Sequence, residues 1–166
     1  MSNGEKVIER TEVEALYRAY GSVVHRRARA LLGNEAEASD AVQDVFIRVL
    51  RSYREFRGQS SPMTWLYRIT TNLCLNRLRD RRRRSELHLE LAEEQPSVGR
   101  RMELTPDVRK LLAALPDDAA AAGVYYYLDG MTHEEIAGVL GVSRRTAGNL
   151  VGRFDTAAEK RFGERR

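Results

Sequence analysis

Residues 61–84, SPMTWLYRITTNLCLNRLRDRRRR, decide the reading of this chain. Ser61 can cap a helix, and Pro62 stands at its first position, where a missing N–H is not needed. The spacing predicts a helix running into the arginine tract near Arg81. At 3.6 residues per turn Arg68, Asn72, Asn76, Arg79 and Arg83 fall near one face, while Ile69 and Leu73, with Leu66 nearby, fall on the other. The stretch holds one Trp, one Tyr, two Asn and seven Arg, and no carboxylate precedes Asp80. Aromatic rings stack on bases, amides read base edges and guanidinium groups hold phosphates. A face of Asn and Arg without balancing acid suits nucleic acid better than plain solvation.

Working outward, the flanking sequence reads as helix almost everywhere. Upstream, Thr11–Glu14 has the form of a capping box, and Val13, Leu16, Tyr17, Tyr20, Val24, Leu31 and Leu32 follow helical spacing up to a stop at Gly33–Asn34. A second helix is expected from about Glu35 to Tyr53, its apolar stripe being Ala38, Ala41, Val42, Val45, Phe46, Val49, Leu50 and Tyr53. The loop RGQSS (57–61) separates it from the Trp–Asn–Arg helix. Downstream, residues 85–105 lose periodicity and gather Glu86, Glu90, Glu93, Glu94, Pro96 and Gly99, the composition of an acidic linker. A short helix before Leu115–Pro116, a helix from Asp117 to Leu128 closed near Gly130, a third opened by the capping box Thr132–Glu135, and a last one from Ser143 to about Phe162 complete the pattern. The expected fold is all-α: two small helical domains, 11–84 and 106–163, joined by a linker, 85–105. No strand pattern extends beyond Gly123–Leu128.

Composition narrows the function. Of 166 residues, 42% are hydrophobic and 31% charged, as in an ordered globular protein. No apolar run reaches membrane-spanning length, and MSNGEKVIER lacks the core of a secretory signal. The single Cys74 permits no internal disulfide and fits a reducing cytoplasm, which is the expected location. His25, His88, His133 and Cys74 have no metal-ligand spacing, and there is no nucleophile–base pair or phosphate-cradling glycine loop. No cofactor, metal or catalytic residue is therefore expected. The net charge of +4 is unevenly spread: residues 1–50 carry −1, 51–84 carry +8, 85–142 carry −7 and 143–166 carry +4. Two basic blocks around an acidic one imply two places where a polyanion is held.

The second basic block coincides with MTHEEIAGVLGVSRRTAGNLVGRF (131–154), which has the layout of a helix-turn-helix. Ile136, Ala137 and Leu140 pack its first helix, Gly141 permits the turn, and Val142 and Leu150 fill the angle. The second helix of such a motif enters the major groove. Its expected exposed positions are Arg144, Arg145, Thr146, Gly148, Asn149, Gly152 and Arg153. Arg144 and Arg145, at the helix start, suit phosphates, whereas Asn149 and Arg153 can make bidentate contacts to adenine and guanine.

The order DAVQDVFIRVLRSY (40–53), FRGQSSPMTWLYRITTNLCLNRLRDRRRR (56–84), LPDD (115–118) and MTHEEIAGVLGVSRRT (131–146) resembles bacterial RNA polymerase sigma factors of the extracytoplasmic-function type, over Leu16–Arg84 and Leu112–Phe162. The resemblance implies core RNA polymerase and promoter DNA as partners, with an anti-sigma factor such as many members have. It implies polymerase docking through Asp40, Gln43, Asp44, Ile47, Arg48 and Arg51. It places Asn72 and Asn76 at a flipped base of the −10 element, with the loop Gly58, Gln59, Ser60 and Ser61 closing over it. Trp65, Tyr67, Arg68 and Arg79 join them as candidate −10 contacts. Arg144, Arg145, Thr146, Gly148, Asn149 and Arg153 become candidate −35 contacts. The linker would thread through the polymerase. Two features depart from the family pattern: the glycines at 148 and 152, where many members carry basic or bulky groups, and AAAAGVYYY (119–127) in place of a long-aliphatic and charged helix. Rival readings are a DNA-binding regulator using only the helix-turn-helix, and a sigma-like protein that occupies polymerase without initiating.

Overall fold

The computed structural model describes residues 3–56, 60–87 and 104–163, with side chains from residue 10 onward. Seven α-helices and no strand are found among them: α1 Asn3–Leu32, α2 Glu35–Ser52, α3 Pro62–Glu86, α4 Pro106–Ala114, α5 Asp117–Gly123, α6 His133–Leu140 and α7 Arg144–Phe162. A 3₁₀ turn, Tyr53–Glu55, follows α2, and a π-helical turn, Val124–Leu128, continues α5. The all-α expectation holds. The chain divides into two compact units, Met1–Cys74 and Leu75–Arg166, the division falling inside α3. Of the expected linker, residues 88–103 lie outside the described residues.

In the first unit α1 and α2 form a hairpin because the chain reverses in two residues. Gly33 takes φ +72°, a left-handed value that a side chain would strain, and its N–H donates to Arg29 O. Asn34 then caps α2, its Oδ1 accepting from the Glu37 N–H at 2.9 Å. Val24, Ala28, Leu31 and Leu32 of α1, Ala38, Ala41, Val45 and Val49 of α2, and Leu66, Leu73 and Cys74 of α3 are all buried. Each leucine or valine removed from water contributes about 1.5–3 kcal/mol.

Three expectations are corrected here. Helix α1 begins at Asn3, so Thr11 lies inside it rather than at a cap. The residues before Thr11 continue the helical hydrogen bonding, so the first-turn N–H groups the motif would satisfy are already supplied from upstream. Tyr17 and Leu50 sit at the edges of their apolar stripes and are exposed, at 54% and 43%; Tyr17 turns its ring edge-on to Phe46 at 5.0 Å. Helix α3 runs on to Glu86, where an i,i+4 pair joins Arg82 to Glu86 at 2.6 Å.

In the second unit the unusual run 119–127 acquires a reason. Ala119–Ala122 and Gly123 are fully buried, and α5 lies so close to α7 that a Cβ on Gly123 would stand 2.2 Å from Phe154 Cδ2. Small side chains let two helices approach where leucines would hold them apart. The π turn then widens the helix. It keeps Tyr125 buried and brings Tyr126 and Tyr127 to the surface. The Tyr127 hydroxyl donates to Asp155 at 2.7 Å, and this hydrogen bond is the main cause raising the phenol above its ordinary pKa.

The cap expected at Thr132–Glu135 is present in both directions. The Thr132 N–H donates to Glu135 Oε2 at 2.8 Å, and the Glu135 N–H donates to Thr132 Oγ1 at 3.3 Å. The Thr132 backbone N–H, and after it the hydroxyl, hold the Glu135 carboxyl below its usual pKa. A depressed carboxylate lends its stability above the unfolded value and loses it as the pH falls through the folded value. Thr132→Ala is expected to lower the stability of this unit by about 1 kcal/mol in urea unfolding at neutral pH. The deficit relative to wild type should shrink in acid by the share that the Thr132 hydroxyl lends to the Glu135 carboxylate, since the backbone N–H of residue 132 donates in both proteins; a pH-independent deficit would contradict that hydroxyl contact.

Candidate nucleic-acid interface

Three helix faces carry the candidate residues. On α3, Ser61 caps as expected: its Oγ accepts from the Thr64 N–H at 3.1 Å and lies 2.9 Å from Thr64 Oγ1. Ser60 and Ser61 are exposed; Gly58 and Gln59 lie outside the described residues. The Trp65 ring is half-buried and stacks on Phe56 at 4.4 Å and 17°, with Tyr53 at 6.4 Å. One ring face is thus taken by the protein itself. Tyr67 is half-buried beneath Arg27, whose Cζ lies 4.2 Å from the ring centroid. Arg68 and Asn72 are exposed and Asn76 half-buried, whereas Leu66, Leu73 and Leu78 of the same helix are buried. Asn72 therefore faces outward, as the periodicity requires, while Asn76 is partly covered. Arg79 is half-buried and, within the second unit, its Nη2 pairs with Asp117 at 2.6 Å.

On α2, Asp40, Gln43, Ile47, Arg48 and Arg51 are exposed and Asp44 is half-buried. Ile47, 46% exposed, has Leu50 one turn further on. Sequence reasoning placed Leu50 in the core because it follows Phe46 at i+4; it belongs equally to the Ile47 row at i+3.

On α7, Ser143 caps the helix, accepting from the Thr146 N–H at 3.1 Å, and its hydroxyl lies 2.9 Å from Thr146 Oγ1. Gly141, at φ +69°, makes the turn before it. Arg144, Arg145, Thr146, Asn149, Gly152 and Arg153 are exposed, with Arg145, Asn149 and Arg153 forming one row at i, i+4 and i+8. Arg144 has a loose, solvent-exposed pairing with Glu134 at 3.8 Å, an interaction that contributes little and yields readily to a phosphate. Gly148 is the correction. It is half-buried, not exposed, and a Cβ there would lie 3.6 Å from His133 Nδ1. His133 in turn stacks on Tyr126 at 5.4 Å and 23°. A Cβ at Gly148 would thus meet the histidine ring in ordinary van der Waals contact. Gly152 has nothing within 4 Å of its Cβ position and remains open.

The described residues thus carry an outward Arg–Asn face on α3 and a capped helix-turn-helix formed by α6 and α7. Residues 16–84 match the Sigma-70 region 2 family and residues 106–153 match Sigma-70, region 4. The chain is 35% identical to the ECF RNA polymerase sigma factor SigE of Mycolicibacterium smegmatis, over 84% of its own length and 57% of that protein. It is 31% identical to SigM of Mycobacterium tuberculosis, covering 83% of the chain and 70% of SigM. It is 30% identical to the RNA polymerase sigma-H factor of Pseudomonas aeruginosa, covering 86% of both. The chain belongs to the ECF family of RNA polymerase sigma factors, a family not generally enzymatic. Two solved structures share its fold: the sigma factor RpoE of Bartonella quintana in complex with the anti-sigma factor NepR, and CnrH in complex with the cytosolic domain of CnrY. Their TM-scores are 0.56 and 0.58, at 21% and 24% identity, and each match covers 95% of this chain and 98% and 91% of the other. Among the described residues no helix is long and apolar enough to cross a membrane.

Proposed function

We propose that this chain is the promoter-specificity subunit of a bacterial transcription complex, acting in the cytoplasm without catalytic chemistry of its own. The observation that carries the reading is the two-sidedness of α3: Asn72 and Arg68 stand exposed while Leu66 and Leu73 are buried. The outer face of α2 docks on core RNA polymerase. Asn72 and Asn76 satisfy the edge of an unpaired −10 base, Arg68 and Arg79 hold its phosphates, and Tyr67 and Trp65 border it. Arg79 must first leave Asp117. Duplex opening is driven by binding the separated strand. Arg145, Asn149 and Arg153 read the upstream element in the major groove, with Arg144 and Thr146 near phosphates. Since the related folds CnrH and RpoE were solved with anti-sigma partners, a protein of that kind is a natural repressor of this one.

The deciding experiment is run-off transcription from a genomic fragment library with purified core polymerase. Specific transcripts support the reading. Core binding without transcripts would favour a polymerase-occupying protein, and DNA binding without core binding would favour a plain regulator. Ile47→Glu should weaken core binding by roughly 30-fold, as expected when a charge enters the centre of an interface. Because Ile47 is exposed, the variant should melt within a degree or two of wild type (roughly ±0.5 kcal/mol for a surface change). Unaltered core affinity would remove α2 from the docking surface.

A further inference from the structure

Arg27 is a buried cation that the proposed contacts do not use. It lies on α1 at 6% exposure, and its side chain reaches across to one turn of α3. Its Nε donates to Thr71 Oγ1 at 2.9 Å, and its guanidinium covers the Tyr67 ring with Cζ 4.2 Å from the centroid. The Thr71 hydroxyl donates to Tyr67 O at 2.8 Å, so the three residues are linked by contacts. The residue after Thr71 is Asn72, exposed on the outer face of the same turn.

Hydrophobic side chains of similar volume often fill such a seam with equal or better stability, because a buried guanidinium must first give up its water. What the guanidinium adds is geometry. It is flat, lies over an aromatic ring and carries fixed N–H directions, so it sets the ring plane and the helical turn together. A lysine offers a point charge with no such plane. Holding an aromatic ring in place before a base arrives removes the ordering cost from the binding step.

We infer that Arg27 is a positioning residue for the unpaired promoter strand. It fixes the Tyr67 ring and the Tyr67–Thr71 turn, which leads directly into Asn72, as a preset stacking surface, and acts through Tyr67 without touching DNA itself. The inference rests on the proposed role of the α3 face.

The test uses the full chain assembled with core polymerase on a promoter recovered from the run-off screen. Strand opening is followed by permanganate reactivity of unpaired thymines, and core affinity and thermal melting are measured on the same samples. Arg27→Met is expected to melt close to wild type and bind core within twofold, but to open the promoter roughly tenfold less, the scale of one lost base–aromatic stack. Tyr67→Leu should show a similar loss. The double variant should fall no further than Tyr67→Leu alone, since both changes act on one contact. Independent, multiplying losses would overturn the inference, as would unchanged opening in Arg27→Met. If Arg27→Met fails to fold, Arg27→Lys keeps the charge and loses the plane; opening equal to wild type in that variant would likewise overturn it. Asn72→Ala with Asn76→Ala separates the two levels. Opening lost there but intact in the Arg27 variants defeats the positioning role alone, and opening intact in both defeats the α3 reading and the inference with it.

Discussion

Gly123→Ala is expected to destabilise the second unit by about 1–3 kcal/mol, although alanine is the better helix former by about 1 kcal/mol. The backbone at Gly123 is ordinary right-handed helix, φ −61° and ψ −43°, so conformation alone would favour the substitution. The neighbour decides the sign. A Cβ would lie 2.2 Å from Phe154 Cδ2, 2.6 Å from Cγ and 2.7 Å from Cε2. Cγ is one bond from the Phe154 Cβ and follows the α7 backbone, so the ring cannot yield as the tip of a flexible chain would. Tyr127 limits the ring on another side, its centroid 5.5 Å away. Either Phe154 leaves its buried position or α5 draws back from α7, and both uncover the core that supports the recognition helix. Denaturant unfolding followed by helical circular dichroism should show a lower midpoint. Combining Gly123→Ala with Phe154→Ala should cost less than the sum of the two single changes, because the second removes the clash of the first. An unchanged midpoint in Gly123→Ala would mean that α5 and α7 are not in close contact.

The second large effect is functional. Replacing both Asn72 and Asn76 by alanine should reduce run-off transcription from duplex promoters by roughly 100-fold, taking about 1.4 kcal/mol for each amide that satisfies a desolvated base edge. Neither amide belongs to the core: Asn72 is exposed and Asn76 half-buried. Alanine also favours helix, so folding stability should hold or rise slightly. Core binding should stay within twofold, since the docking surface proposed above is on α2. A template with its −10 region already unpaired should recover part of the loss, because the cost of separating the strands has been removed. Equal losses of core binding and transcription would show that the amides support the structure rather than the promoter.

Much of this was legible from local chemistry. Ser61, Thr132 and Ser143 cap where their hydroxyls can reach a first-turn N–H, and Gly33 and Gly141 turn where only a residue without Cβ is comfortable. The outward placing of Arg68 and Asn72 follows from helical spacing. Misreadings arose where a motif was locally valid but already satisfied, as at Thr11, or where a residue lay between two faces, as at Leu50. Gly148 departs from its local pattern for a different reason: His133, which packs beside it, comes from another helix.

The order of residues alone thus determined the helices, the capped starts of α2, α3, α6 and α7, the exposed faces of Arg68 and Asn72 on α3 and of Arg145, Asn149 and Arg153 on α7, and the family to which the chain belongs, because caps, periodicity and charge are short-range properties. Tertiary structure alone decided why Ala119–Gly123 are small, that Arg27 reaches across to Tyr67 and Thr71, and that Asp117 holds Arg79. Each of these joins residues distant in sequence, and whether two side chains clash, stack or pair is set by a separation in space that no local pattern encodes.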